Sequence, residues 1–346
     1  MKRYALCALL FVGCGGDSIQ NFPSANQALP GPITTWKLNY PNSPRSDPDE
    51  LGSTHEITWD QARGGDKLWI TGELHDQVVS VDLNGNATFH PMPVESGPHG
   101  IEFNKFGELF VSFEYSNQLA RLSDQGTILQ TFDVHSDPHG LGIDPDGVTC
   151  WYTGKEDNQI GKLETNGTVT NYPLATPNAL PIYIKAGPDG NMWFTELTGN
   201  KIGRITRDGQ IREFSIPTPN SRPIAVRPDP SEPYMWFTEE AGNKVGRIDM
   251  QGNIVEFPIP KTQENVILAS LAFDSGGDLW VQQYVDQNHP NPPGEDHIIR
   301  ISRQKMSFTY YTVPDRETVM HRITQGPDGN MWFTELKNDR VGRVLR

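Results

Sequence analysis

Short apolar stretches alternate with polar turns along most of the chain, and no long segment with helical periodicity interrupts them. One stretch, GPDGNMWFTELTGNKIGRI at residues 187–205, returns almost letter for letter as GPDGNMWFTELKNDRVGRV at residues 326–344. Two-residue turns with Gly separate the stretches, as antiparallel neighbours require, because Gly, Asn and Asp tolerate positive φ at low cost. The pattern predicts an all-β chain built from a repeated antiparallel unit.

Seven units result when the chain is aligned on the apolar residue that opens each unit. We predict four strands in each unit. A repeat of forty to fifty residues with four strands is typical of one blade of a β-propeller. We therefore predict a seven-bladed β-propeller of four-stranded blades over residues 31–346. The opening residues are Ile57, Ile101, Leu141, Ile184, Val226, Leu271 and Ile323.

The seventh unit ends at Arg346, directly after its third predicted strand. Residues 33–38, ITTWKL, are similar to the outermost strand of unit four, residues 211–216, IREFSI. We predict that this N-terminal strand completes the last blade, which removes the open sheet edges. Two units carry irregularities, at residues 62–65 and at residues 286–296, which we expect to be surface loops.

Large aromatic residues recur at the start of the second predicted strand of each unit. Trp193, Trp236 and Trp332 are each followed by Phe, and the other four units place Trp69, Phe110, Trp151 and Trp280 at the first position. Flat side chains at one repeated position fill the gap between adjacent sheets. We interpret them as packing residues, with sugar stacking as the alternative.

The net charge limits the classes of partner that this chain can bind. It has 346 residues and a net charge of −14. Such a charge repels phosphate backbones and anionic lipid headgroups, which argues against nucleic-acid binding and against adhesion to a membrane surface. Acidity favours cationic ligands or metal ions, or reflects an ordinary solvated surface. We expect a monomer that acts on a small molecule and has no nucleic-acid partner.

The N-terminal residues predict export. Two basic residues precede an apolar run over residues 5–12, which is too short to span a bilayer and is typical of a signal peptide. Residues 11–14, FVGC, resemble the lipobox of bacterial lipoproteins, in which Cys14 becomes the lipidated first residue; Cys14 as an ordinary signal-peptide residue is the alternative. We expect a signal peptide over residues 1–14, a flexible tether over residues 15–30, and a periplasmic or cell-surface lipoprotein, otherwise a secreted protein.

Histidine recurs at one position of the repeat. Two residues before the opening residue, four of the seven units carry His55, His99, His139 and His321. Because unit seven adjoins unit one in a closed ring, these histidines lie on consecutive blades around one opening of the central channel. Converging imidazoles suit a divalent metal, proton transfer, or both. A structural remnant of one ancestral Pro-His-Gly turn is the alternative.

Acidic residues accompany part of this set. Asp137 stands two residues before a histidine, and Glu73 and Glu114 each follow an aromatic residue by four positions. Oxygen ligands with one or two imidazoles would hold Mg²⁺, Mn²⁺ or Ca²⁺, whereas three imidazoles without a carboxylate would favour Zn²⁺. The residue types leave the choice of metal open.

The motifs WFTE, NKIGRI and DGxIxEFxIPTP are similar to those of the streptogramin B lyase (virginiamycin B lyase) family, over roughly residues 33–346. The resemblance implies a seven-bladed propeller that linearises a cyclic depsipeptide antibiotic by elimination across its ester, and hence antibiotic resistance. It also implies a histidine acid/base and two Glu that help bind Mg²⁺. His321 matches the acid/base, and Glu335 matches the later Glu, one residue out of register. Val319 replaces the first Glu, and Ala269 stands where the preceding blade would carry a second histidine.

A rotated version of the family's site also matches. Residues 137–141, DPHGL, resemble the family's EPHGI, and the blade before them supplies His99. Glu156 stands for the later carboxylate, displaced in register. In this version His139 removes a proton α to a carbonyl, a metal held partly through Asp137 polarises that carbonyl, and His99 orients the substrate.

The sequence therefore predicts an exported, metal-dependent lyase, or a hydrolase, that opens an ester or lactone of a small molecule. The alternative is a non-catalytic propeller that binds a ligand or a protein at the cell envelope. The metal expected from the family is Mg²⁺. The predicted site consists of the catalytic residues His139 and His321, the substrate-binding residues His99 and His55, and the metal ligands Asp137, Glu156, Glu114 and Glu335.

Overall fold

The computed structural model describes residues 32–41, 52–286, 294–305 and 307–346. These residues confirm an all-β ring of seven sheets, each of four antiparallel strands. The expected signal peptide, tether and Cys14 lie outside the described residues, as do residues 287–293 of the expected loop. Within the described ranges, no helix has both the length and the apolar character needed to cross a bilayer.

Blades one to six each take four consecutive strands, and blade seven combines the first strand of the chain with the last three. A short 3-10 helix, Glu73–His75, follows β3. In chain order the strands are β1 (Ile33–Lys37); β2 (Thr54–Thr58), β3 (Leu68–Gly72), β4 (Gln77–Val81) and β5 (Ala87–Pro91) in blade one; β6 (Pro98–Phe103), β7 (Leu109–Phe113), β8 (Gln118–Leu122) and β9 (Ile128–Asp133) in blade two; β10 (Pro138–Ile143), β11 (Cys150–Gly154), β12 (Gln159–Leu163) and β13 (Val169–Pro173) in blade three; β14 (Pro181–Ala186), β15 (Met192–Glu196), β16 (Lys201–Ile205) and β17 (Ile211–Ser215) in blade four; β18 (Pro223–Pro228), β19 (Tyr234–Glu239), β20 (Lys244–Asp249) and β21 (Ile254–Pro258) in blade five; β22 (Val266–Phe273), β23 (Leu279–Val285), β24 (His297–Ser302) and β25 (Ser307–Thr312) in blade six; and β26 (Met320–Gln325), β27 (Met331–Glu335) and β28 (Arg340–Val344) in blade seven.

The N-terminal strand closes the last blade, as predicted. β1 pairs antiparallel with β28 along its whole length. Trp36 of β1 stacks on Trp332 of β27 with ring centroids 5.3 Å apart, and the amide of Leu38 donates to the carbonyl of Asp339 at 2.7 Å. First strands of neighbouring blades contact each other around the ring, including β26 and β2. The ring is therefore closed, and its first strands surround the centre.

The aromatic residues of the second strands pack between blades, which confirms the packing prediction. Trp151 of blade three, for example, belongs to one buried cluster with Ile184, Met192 and Phe194 of blade four. Its indole nitrogen donates to the carboxylate of Asp144, in the turn before it, at 3.1 Å. A buried indole needs such a partner, and this explains why an Asp-containing turn precedes the aromatic residue.

Candidate functional site

The four histidines form one cluster, which we call the histidine cluster (His55, His99, His139 and His321). Each is the second residue of the first strand of its blade, in β2, β6, β10 and β26. The ring centroids of His99 and His139 are 3.8 Å apart, and those of His55 lie 4.9 Å from both His99 and His321. The predicted convergence of the imidazoles is therefore present in the structure, at the end of the ring where these four first strands begin.

Hydroxyl groups of neighbouring blades hold the backbone of the histidine cluster. Thr71 donates to the carbonyl of His99 at 2.7 Å, and Thr334 donates to the carbonyl of His55 at 2.6 Å. Ser112 donates to the carbonyl of His139 at 2.9 Å. The Thr of the WFTE motif therefore positions the first strand of the next blade. Sequence reasoning missed this role, although the repetition of a hydroxyl at this place was a visible signal.

His55 and Glu73 form a buried ion pair. The Nε2 atom of His55 lies 2.7 Å from Oε2 of Glu73, and its Nδ1 atom is 2.8 Å from the carbonyl of Ser53. Because both partners only accept, both ring nitrogens must donate, and His55 is an imidazolium. Burial lowers the pKa of His55, but the Glu73 carboxylate outweighs it and the pKa is raised. Tyr115 donates to the other oxygen of Glu73 at 2.6 Å.

The other three histidines are held neutral. Burial is the main cause that lowers the pKa values of His99, His139 and His321 well below the ordinary value. Nearby positive charges add to it, from Lys155 at His139 and from Arg322 at His321. Neutral imidazoles offer a lone pair that accepts a proton or binds a metal. The site thus combines one imidazolium with three neutral rings.

Lys155 is a further residue of the site that sequence reasoning missed. Its ammonium group contacts Oε1 of Glu114 directly. Burial raises the pKa of Glu114 to about 8 against the opposing pull of Lys155, and burial also raises that of Asp137 to about 6. Lys155 follows Trp151 by four residues, the same spacing that singled out Glu73 and Glu114. That spacing was the signal that could have found it.

A second buried ion pair lies beside the cluster. Glu56 and Arg322 directly follow His55 and His321 in the chain, and their side chains meet at 2.5 Å. The guanidinium of Arg322 also lies 4.5 Å from the ring centre of Tyr183. This pair places a fixed positive charge next to His321, which is one physical reason for its neutral state.

Two further predicted metal ligands, Glu156 and Glu335, lie outside the convergent groups of ligand atoms. Glu156 is exposed in the turn after β11, where its charge acts on Asp137. Glu335 is buried at the end of β27, where it pairs in register with Arg340. Neither belongs to a group of side chains whose ligand atoms converge, and Asp137 belongs to none either. All three assignments stay predictions.

Two groups of convergent ligand atoms exist among the described residues. One consists of His55, His99 and His321, and the other of His99, Glu114 and His139; within each group the ligand atoms lie within 4.8 Å of one another. Mg²⁺ requires oxygen ligands in octahedral geometry, whereas these groups are rich in imidazole and contain one carboxylate at most. Neither of these two groups therefore fits Mg²⁺.

The fold and the cluster define a seven-bladed propeller with four converging histidines at one end of its ring. A sequence profile of the virginiamycin B lyase family matches residues 52–290, more than half of the chain. This protein belongs to the virginiamycin B lyase family.

Individual relatives agree with this assignment. A virginiamycin B lyase of Nocardia farcinica (strain IFM 10152) is 33% identical over 142 residues, which are 40% of this chain and 50% of the relative. The chain thus spans about half the length of this relative. A streptogramin B lyase structure superposes with a TM-score of 0.77 at 26% identity, covering 90% of this chain and 96% of the other.

Two structures of the Staphylococcus aureus virginiamycin B lyase are also similar. The selenomethionine-substituted enzyme superposes with a TM-score of 0.75 at 28% identity, covering 91% of this chain and 99% of the other. A catalytically inactive His-to-Ala variant, solved with quinupristin, gives the same values.

Proposed function

We propose that this protein opens an ester or lactone bond of a small molecule, by elimination across the ester or by hydrolysis, through imidazole acid–base chemistry assisted by a divalent metal ion. The observation that carries the proposal is the contact of four imidazoles, from four consecutive blades, at one opening of the ring. The likeness to a lyase solved with quinupristin supports a streptogramin B depsipeptide as one candidate substrate.

In the elimination, a base removes the proton from the carbon α to a carbonyl. A carbon–carbon double bond forms, the adjacent carbon–oxygen bond of the ester breaks, and the carboxylate leaves. His321 is the first candidate base, since the resemblance assigns the acid/base to this position. Its side chain is 18% exposed, compared with 5% for His55, so a substrate in the opening reaches it more easily.

His139 is the second candidate base. Its Nδ1 atom lies 2.9 Å from the carbonyl of Ile182, so this nitrogen carries the hydrogen and Nε2 retains a lone pair. His55 is committed to Glu73 and Ser53, which suits it to holding the substrate rather than to moving a proton. Its positive charge would stabilise negative charge that develops on a substrate oxygen.

The purified full-length protein is to be incubated with quinupristin and with a panel of simpler esters and lactones, and the products analysed by mass spectrometry. Elimination leaves the mass of a cyclic substrate unchanged and creates a double bond that absorbs ultraviolet light. Hydrolysis adds the mass of one water molecule. Turnover of a member of the panel by either route supports the proposal, and an absence of turnover across the panel overturns it in favour of a binding propeller.

Variants separate the two candidate bases. Loss of a general base lowers kcat by about 10²–10⁴-fold. We therefore expect either His321→Ala or His139→Ala to lower kcat by a factor in this range. Ile224→Ala is the matched control, because Ile224 occupies the equivalent position of blade five, outside the histidine cluster. The imidazole assignment fails if both histidine variants keep the turnover of the control.

We also propose that the protein is exported and anchored through Cys14. The support is the order of features in the first 14 residues, where basic residues are followed by an apolar run and then by FVGC. Expression in a bacterial host with labelled palmitate, followed by fractionation, tests it. We expect label in the membrane fraction for the native chain and none for Cys14→Ala. Equal labelling of both chains would contradict the lipidation.

A further inference from the structure

Three buried side chains of blades two and three bring ligand atoms close to one another. These are His99, Glu114 and His139, whose ligand atoms lie within 4.8 Å of one another. All three residues are less than a tenth exposed. Two lie at strand starts and Glu114 directly follows the end of β7, on adjacent blades, so the ring and not a local motif brings them together.

Each of these three residues has a nitrogen or oxygen atom that could bind a metal ion. Nδ1 of His99 and Oε2 of Glu114 are buried without a hydrogen-bond partner. Nδ1 of His139 is occupied by the carbonyl of Ile182, which leaves its Nε2 lone pair available. A metal-bound histidine typically donates its other ring nitrogen to a backbone carbonyl, which fixes the tautomer and the ring orientation. His139 already has that arrangement.

We propose that His99, His139 and Glu114 bind a transition-metal ion of the Zn²⁺ type, with its remaining coordination position open toward the channel. Two imidazoles and one carboxylate are a donor set of catalytic zinc sites, in which a water or substrate oxygen takes the fourth position. Nitrogen-rich sites of this kind prefer such ions to Mg²⁺. The ion would also satisfy buried polar atoms that are otherwise unpaired.

The other convergent group, His55, His99 and His321, is the weaker candidate. Both ring nitrogens of His55 already donate, one to Ser53 and one to Glu73 at 2.7 Å. An ion there would have to break this buried ion pair and remove a proton from His55. Because His99 belongs to both groups, an ion on His99 and His139 also competes with one on His321.

This inference deepens the proposed function and rests on it for the use of the site in catalysis. A metal on His139 takes away the lone pair that would have accepted a proton. His321 then remains as the base, with its ring centroid 5.5 Å from that of the ligand His99. The binding of the metal itself does not depend on turnover, and the test therefore measures binding.

The experiment measures metal content and affinity of the purified, chelator-treated full-length protein. Elemental analysis and calorimetric titration with Zn²⁺ should give one bound ion, and titration with Mg²⁺ should give none at comparable concentration. Co²⁺ serves as a spectroscopic probe, since a four-coordinate site gives strong visible absorption. We expect His139→Ala and Glu114→Gln to weaken Zn²⁺ binding by about 100-fold or more, beyond the 10–100-fold effect typical of the groups that orient ligands.

His321→Ala and Glu335→Gln are the controls, and both should keep the ion. Circular dichroism and the thermal midpoint of each variant, recorded without metal, show whether a variant has lost a metal ligand or has failed to fold. If a variant does not fold, the Co²⁺ spectrum of the native chain decides whether a four-coordinate site exists. Binding of Zn²⁺ no tighter than Mg²⁺, or an ion lost in His321→Ala and kept in His139→Ala, overturns the inference. A bound ion without turnover upholds the site and refutes the proposed function, whereas turnover by a protein that binds no Zn²⁺ refutes the site alone.

Discussion

Leu38 lies at the seam where the two ends of the ring meet, and its replacement by alanine tests the closure. The side chain is 1% exposed and belongs to a buried cluster that joins Trp332 of blade seven to Ile57 of blade one. Replacing a fully buried Leu by Ala costs about 2–5 kcal/mol, from lost burial and the cavity left behind. We expect Leu38→Ala to lower the free energy of unfolding by that amount, measured by urea denaturation.

Ile216 provides the matched control for this substitution. It directly follows β17, the outer strand of blade four, just as Leu38 follows β1, and it is 4% exposed. Its amide donates to the carbonyl of Asn200 at 3.1 Å, the counterpart of the bond from Leu38. Ile216→Ala should therefore cost a similar amount. A loss below about 0.5 kcal/mol for Leu38→Ala, beside a full loss for Ile216→Ala, would show that β1 does not close the ring.

Three further outcomes are expected. Thr71→Val removes the hydroxyl bond to the carbonyl of His99 and should cost about 1–3 kcal/mol in urea unfolding; an unchanged midpoint would contradict the positioning role. Arg322→Met leaves Glu56 buried without its partner and should cost about 3–5 kcal/mol in urea unfolding at pH 7; a neutral result would mean that the pair is unimportant. Burial raises the pKa of Glu239 from 4.5 to about 8, so its contribution is complete below pH 4.5 and is lost as the pH rises through 8. Glu239→Gln should then be about 1–3 kcal/mol more stable than the native chain at pH 9 and equal at pH 4 in thermal unfolding; parallel curves would refute the assignment.

The repeat was sufficient to predict most of the fold. The alternation of apolar and polar residues, the Gly-containing turns and the recurring aromatic position identify the strands. The strands with which they pair need not be known, because each blade is a local antiparallel meander. The completion of blade seven by β1 was also predictable, since its residues copy the outer strand of blade four. The sequence indicated where that strand belongs, although it pairs residues near the two ends of the chain, such as Ile33 and Val344.

The site was predictable only in part. The recurrence of histidine at one repeat position indicated that four imidazoles meet, and the structure brings them into contact. The contacts of each imidazole could not be inferred in the same way. Glu73 binds His55 of its own blade, whereas Glu114, at the same repeat position, contacts Lys155 of the next blade.

The sequence by itself determined the blade, its sevenfold repetition and the position from which histidines face the opening, because these depend on local periodicity. Only the tertiary structure decided which imidazole carries a charge and which keeps a lone pair. That outcome depends on burial and on the nearest charges, such as Glu73 for His55 and Arg322 for His321. Those neighbours are set by side-chain directions across blade boundaries, and no pattern along a single blade encodes them.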